Sequence, residues 1–421
     1  MAEFLQQSHP SRLGTLGTKL AAVPKKWRVA SGVVLVVVTL LLVFCLLRSS
    51  GRLGSGKPSE FLSGLAGTEG SAESDSSRTV EHPISGLWFT AQQAEVWQER
   101  RPLAVLINGH ADARGVLTGL AEADLVYEAV AEGGIPRLLA IFHTRLPEKV
   151  GSVRSARVYH VDWAREYSAW LAHWGAAQID PNNPDVCFSQ ADAFSRMRDI
   201  YVSSIDAMVV NSQAYFRDEN GLAQEHTGFA NLPRVLEAGY RRYPDQRRGL
   251  GEIASWEFKD DAPEAPEAPG AQRGPVPDGT GRGPAATLAF DFWEIMPGYD
   301  VVWEYDPVRN VYLRSQGGDL IKDATTGEPI AAKNVAILFM AETSLGDFKQ
   351  HILYGTLSGG KALIYRDGQE IAATWERQSV ADRTLFVDNE TGREVEFNRG
   401  STWLEVLPIG NEVVYRTAVA E

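Results

Sequence analysis

Cysteine is scarce: the 421 residues contain two, Cys45 and Cys187. Cys45 sits inside an apolar run near the N-terminus, apart from Cys187, so no disulfide is expected to staple the fold. Cys187 reads as a buried thiol, with a nucleophile as the alternative. Zinc signatures are missing too. His110, His143, His160, His173 and His226 form neither an HExxH pair nor a Cys-flanked group, so no structural metal and no cofactor are expected. No Gly-x-Ser-x-Gly elbow supports acyl transfer. Gly359-Gly360-Lys361 lacks the second half of a phosphate loop and reads as a turn. Excess positive charge is also absent: 41 Lys and Arg stand against 54 Asp and Glu, and a net charge of −13 does not suit nucleic acid.

What is present begins with one long apolar segment. Residues 29–47 carry no charge and are rich in Val and Leu. At about 1.5 Å per residue they span a hydrocarbon core of roughly 30 Å, so a single N-terminal transmembrane helix is expected. The run exceeds the apolar core of a cleaved signal peptide, and no small-x-small site follows closely. Arg12, Lys19, Lys25, Lys26 and Arg28 precede it against Glu3 alone, which places residues 1–28 in the cytoplasm and the remainder outside. Residues 48–83 are Gly- and Ser-rich and read as a disordered stalk. Residues 259–285 alternate Pro, Ala, Glu and Gly and read as a disordered insertion. These breaks leave 84–258 and 286–421 as two folded pieces.

The first piece is expected to be α/β or α+β. PLAVLIN and RLLAIFHT read as buried strands, whereas DWAREYSAWLAHW, residues 162–174, spaces its aromatics by three and four and predicts an amphipathic helix. Further helices are expected around 190–198 and 233–242. The second piece reads as mainly β. YDPVRNVYLRS, KALIYRDGQEIAATWE and TLFVDNETGREVEF are hairpin patterns, with Asp367-Gly368 the sharpest turn signal. Trp303, Tyr305, Tyr312, Trp375 and Trp403 are expected to fill its core, or alternatively to form a glycan-binding platform.

Arg137, Arg154 and Arg157 fall at the ends of strand-like runs, where a planar fork of donors can grip phosphate or carboxylate in two bonds. With Asn108 and Asp162 they are the ligand-binding candidates. The competing reading pairs Arg154 and Arg157 with Asp162, Glu166 or Glu128 in a fixed ion network. Asp124, Glu128 and Glu132 recur every four residues and would share a face in helix or strand. Asp124 and Glu128 are the catalytic candidates, as general acid and base. Cation binding and plain neutralisation of the arginines remain open for all three.

The run RPLAVLINGHADARGVLTGLAEADLVYEAVAEGGIPRLLAIF, GSVRSAR, HVDWAREY and the later RDENG to EHTG stretch resemble the N-terminal domain of the YerB family of bacterial envelope proteins. YDPVRNVYLRSQGG, AKNVAIL, GGKALIYRDGQ, TWERQSVADRT and GSTWLEVLP resemble its C-terminal domain. Both are domains of unknown function. The resemblance implies an envelope location, and the chain departs from the family's usual lipid anchor by its apolar segment. The order PLAVLIN, Ala123-Asp124-Leu125, RLLAIFHTRLPEKVGSV also resembles, more faintly, the LytR-CpsA-Psr phosphotransferases. That likeness would place a pyrophosphate on Arg154 and Arg157 and magnesium on Asp124, although Arg154 is followed by Ser155 where the family has an acidic residue. The expected function is a membrane-anchored extracytoplasmic protein binding an anionic envelope ligand, either a lipid-linked pyrophosphate or a peptidoglycan fragment. A non-catalytic assembly module that recruits envelope proteins and a phosphotransferase are the alternatives.

Overall fold

Leu103–Asn108 (β1) is buried along its whole length, which requires cover on both faces and therefore a place inside a layered sheet. The computed structural model, which describes residues 77–210, 213–219, 221–246, 253–264 and 281–418, shows that sheet. Its other strands are Leu125–Glu132 (β2), Ile135–Phe142 (β3), Trp170–His173 (β4) and Ser204–Asp206 (β5) from the first piece. From the second come Asn334–Met340 (β9), Ser358–Arg366 (β10), Gln369–Arg377 (β11), Leu385–Asp388 (β12) and Thr402–Pro408 (β13). The ten strands run in the order β12-β11-β10-β9-β13-β2-β3-β1-β4-β5. A second, antiparallel sheet contains Ala286–Phe290 (β6), Val301–Asp306 (β7), Val311–Gln316 (β8) and Val413–Thr417 (β14).

The two pieces separated in the sequence therefore share one sheet. β13 lies between β9 and β2, parallel to both, with Thr402 opposite Leu125 and Glu405 opposite Glu128. The mixed α/β first part and mostly β second part stand as expected, but the pieces are joined by backbone hydrogen bonds. Residues 29–47 lie outside the described residues, among which no helix is long and apolar enough to cross a membrane.

Helices pack on both faces of the large sheet, since the register points Tyr127 of β2 and Trp170 of β4 to opposite sides. Val158–Glu166 (α2) stacks Trp163 on Tyr127 with ring centroids 4.6 Å apart, and Leu232–Arg242 (α4) brings Gly239 against Trp170. A Cβ at Gly239 would lie 2.2 Å from the Trp170 ring, so only glycine permits that approach. Ala91–Gln98 (α1), capped by Thr90, and Ala193–Asp199 (α3), capped by Asp192, complete the helices used below.

Several local expectations need correction. The aromatic run at 162–174 is not one helix: α2 ends at Glu166, Ser168 adopts a positive φ of 51°, and Trp170–His173 joins the sheet beside β1. Trp163, Tyr167 and Trp170 are buried in both settings, so their spacing cannot separate helix from strand. The end of the stalk is ordered, since Arg78–Glu81 pairs with Trp88–Thr90. Both flanks of the Pro-rich insertion are held: Asp260 pairs with Arg399, Asp261 with Lys333, and Arg282 donates to Ala262 and Pro307 carbonyls. The rest of the insertion lies outside the described residues. Gly359-Gly360-Lys361 belongs to β10 rather than to a turn. Asp367-Gly368, both at positive φ, does form the β10–β11 turn. The five aromatics expected in the core are all buried, which removes the glycan platform.

Between the sheets lies a buried charge cluster. Glu128 and Glu405 stand side by side on β2 and β13, and Arg314 reaches them from β8, its Nη2 2.6 Å from Glu128 Oε2 and its Nε 4.0 Å from Glu405 Oε1. Gln316 donates to Glu128 Oε1 at 3.2 Å and Trp303 Nε1 to Glu405 Oε1 at 3.0 Å. Burial, and then the neighbouring Glu128, push the Glu405 carboxyl well above the usual range. One guanidinium thus serves two carboxyls, a setting that favours the protonated form of Glu405. Arg314→Met leaves Glu128 buried and unanswered, and is expected to lower unfolding free energy by about 3–5 kcal/mol in urea titration. Replacing Glu128, Arg314 and Glu405 together by apolar residues is expected to recover most of that loss.

Candidate functional site

The bend that follows the short strand Val150–Gly151 carries Arg154 and Arg157 into the N-terminus of α2. The two arginines then part. Arg154 lines an open cleft of about 260 Å³ with Ser155, Trp174, Arg217, Gln224 and Glu225. Its Nη1 donates to the Glu225 carbonyl at 3.0 Å, while its Nε is buried with no hydrogen-bond partner. Arg217 lies over the Trp174 ring at 4.1 Å and donates to the Gln224 carbonyl and Thr227 Oγ1. The strand Tyr215–Arg217 holds Arg217 there by pairing with Gly228–Ala230. The sequence reading missed Arg217 as a site residue, although it is the arginine that opens the RDENG to EHTG stretch.

Arg157 turns instead to Glu132. Its Nε bonds Glu132 Oε1, and Arg137 Nη2 approaches Oε2 at 3.4 Å while Nη1 donates to the Ser155 carbonyl. Burial alone would raise the Glu132 carboxyl, but Arg137 and Arg157 overcome it and hold the group down at about 2. Burial, and then Arg157 beside it, lower Arg137 to about 9. This is the fixed ion network that the sequence left open for Arg157, with Glu132 as its carboxylate.

Asp124, Glu128 and Glu132 do not converge. A bulge between Val130 and Glu132 breaks the alternation of β2, so Glu132 meets Arg157 at the start of α2 while Glu128 meets Arg314 of the other sheet. Asp124 is enclosed: its Oδ2 accepts the His143 and Thr144 amides and its Oδ1 the Thr144 hydroxyl. Burial raises its carboxyl, and these bonds from Thr144 and His143 oppose the rise. Both catalytic candidates are therefore inside the fold, bonded to protein groups. Asp162 is also committed, to Arg196 at 2.7 Å and the Thr356 hydroxyl at 2.7 Å.

Asn108, the last residue of β1, does not line the Arg154 cleft. Its Oδ1 accepts the His110 amide, which turns its Nδ2 toward Ser152 Oγ and His226 Nδ1. His226, His110 and Asp112 have donor atoms close enough to share a cation. Asn108 occupies the Nδ1 lone pair of His226, however, which leaves the ring proton on Nε2 and disfavours ligation there. A second trio, Cys187, Asp347 and His351, lies next to Glu132.

Fold and geometry define a class: a layered mixed-sheet protein whose late strand completes its early half, with an arginine-lined cleft beside the segment that leads into α2. Two family models match the chain, the N-terminal domain of the DUF3048 proteins of unknown function over residues 85–244 and their C-terminal domain over 294–404. The chain belongs to the DUF3048 family. It is 28% identical over 343 residues to YerB of Bacillus subtilis (strain 168), a protein that carries the name of a lipoprotein, covering 79% of this chain and 88% of the relative. The crystal structure of YerB from Bacillus subtilis aligns with a TM-score of 0.62 at 24% identity, over 80% of this chain and 100% of that one, and shows the same fold. These findings lend no support to the fainter phosphotransferase likeness.

A second buried pair, two histidines, is expected to make the fold sensitive to acid. His82 Nε2 and His143 Nδ1 are 3.0 Å apart, with the Ser85 amide donating to His82 Nδ1 and the Arg100 carbonyl accepting from His143 Nε2. This arrangement suits two neutral rings. Burial, reinforced by Arg100 for His82 and by His82 for His143, lowers each to about 3. Both folded values lie below that of a free imidazole, so the unfolded chain takes up protons that the fold refuses. Stability is expected to be full above about pH 6.5 and to fall as pH drops toward 3, with Glu132 adding to the loss below about pH 4.5. Urea midpoints measured across this range check it; a midpoint unchanged from about pH 7 to 4.5 would remove the neutral pair.

Proposed function

We propose that the protein stands on the outer face of the cytoplasmic membrane, held by residues 29–47, and binds an anionic cell-envelope ligand in the cleft of Arg154 and Arg217. The lipoprotein name of the Bacillus subtilis relative supports the envelope location. The carrying observation is the cleft itself, in which two guanidinium groups from different segments line about 260 Å³ of open space in a chain of net charge −13. Both are placed by bonds to backbone carbonyls, so their orientation is fixed before a ligand arrives. The exposed Glu225 carboxylate on the rim favours a ligand that carries donors beside its anionic groups. A peptidoglycan fragment meets that description better than a lipid-linked pyrophosphate.

The assembly-module reading keeps one observation in its favour. Tyr201, Met208 and Val209 are 80%, 70% and 61% exposed around β5, the edge of the large sheet. Such an apolar edge suits a protein partner.

Thermal unfolding of the full chain with peptidoglycan fragments and with polyprenyl pyrophosphate separates these readings. A ligand at 100 times its Kd is expected to add about 2.7 kcal/mol. The gain should vanish in Arg154→Ala and Arg217→Ala yet persist in Arg157→Ala, whose side chain serves Glu132. Equal gains in all three variants would remove the cleft, and no gain with any ligand would favour the assembly module.

A further inference from the structure

Away from the cleft, three metal-ligating side chains meet where two loops pack. Cys187 comes from the segment between β4 and α3, and Asp347 and His351 from the turn between β9 and β10. One donor atom of each lies within 4.8 Å of the other two, and the residues are 2%, 4% and 2% exposed. His351 Nδ1 is 2.7 Å from Asp347 Oδ2, and the His351 amide donates to Oδ1 at 2.9 Å. The Phe188 amide donates to Oδ2 at 3.2 Å, and the Phe348 amide to the Asp185 carbonyl at 2.8 Å, so the loops are already stitched together. On the far side of the ring, His351 Nε2 faces Glu132 Oε1 at 3.8 Å.

We infer that Cys187 Sγ, Asp347 Oδ2 and His351 Nδ1 form a zinc-binding site that ties these two loops. A thiolate, an imidazole and a carboxylate are the donor set of a borderline transition ion, whereas magnesium and calcium take oxygen alone. A ligating histidine ordinarily gives its other N–H to a carboxylate, and Glu132, fixed by Arg137 and Arg157, stands at that place. Two ligands on tetrahedral zinc are about 3.3 Å apart for bonds of about 2.0–2.1 Å, so the 2.7 Å contact opens by roughly half an ångström as the ion enters. The ring carries its proton on Nε2, toward Glu132, which frees Nδ1 for the ion, and the thiol proton leaves to solvent as the sulfur binds.

Burial, and then Asp347 and Asp192, raise the Cys187 thiol, while Arg157 and Lys349 oppose them. The site lies outside the Arg154 cleft and does not depend on the function proposed for it.

Metal-stripped full-length chain titrated with Zn²⁺ against a chromophoric chelator tests the site. One ion per chain is expected, with affinity at least about a hundredfold weaker in Cys187→Ser and in His351→Ala, and unchanged in His110→Ala/His226→Ala. Should a variant fail to fold, Co²⁺ bound to the unaltered chain provides the second readout, a thiolate-to-cobalt charge-transfer band. Absence of that band, zinc affinity retained in a folded Cys187→Ser, or affinity lost only in the His110/His226 variant would each overturn the assignment.

Discussion

Everything in this fold is organised around one arginine that serves two glutamates. Glu128 and Glu405 are brought together by the pairing of β2 with β13, and no sheet would place two carboxyls side by side in its interior without a cation to meet them. Arg314 meets them from the second sheet, over the rings of Trp303 and Trp403. That contact joins the early strand, the late strand and the second sheet at one buried point. Buried charge of this sort contributes more to choosing one arrangement than to net stability.

The same logic recurs on the face that α2 covers. Glu166, at the end of α2, accepts the Tyr127 hydroxyl and the Thr384 amide and faces Arg377 and Arg383. Arg377 in turn donates to the Asp162 carbonyl. α2 is thus clamped between β2 and the segment after β11. Most charged groups in the 120–170 region have structural partners, which is why Arg154, turned toward an open cleft, stands apart.

Element types were well marked in the sequence wherever period and turn chemistry agreed, as in the β10–β11 hairpin with its Asp367-Gly368 turn. The buried strands PLAVLIN and RLLAIFHT were equally plain. Other features were hidden for physical reasons. In VYLRSQ the inward positions are Tyr312, Arg314 and Gln316, so alternation by hydrophobicity points the wrong way for a strand whose buried face carries a charge network. The bulge near Val130 leaves no mark in composition, yet it decides that Glu132 and Glu128 serve opposite faces. Of the anion-site candidates, the type and neighbourhood of Arg154 were legible; its separation from Arg157 was not, because it depends on Glu132. The Cys187, Asp347 and His351 trio joins segments about 160 residues apart, and no spacing rule connects them.

The place of β13 has a consequence for how the chain is made. Synthesis delivers β2 nearly 280 residues before the strand that must lie beside it. Until the last portion arrives, one edge of the early sheet and the carboxyl of Glu128 have no partner, so the nascent first half is an open template for foreign strands. The large sheet therefore closes only once β13 has been made, whatever order the earlier elements follow.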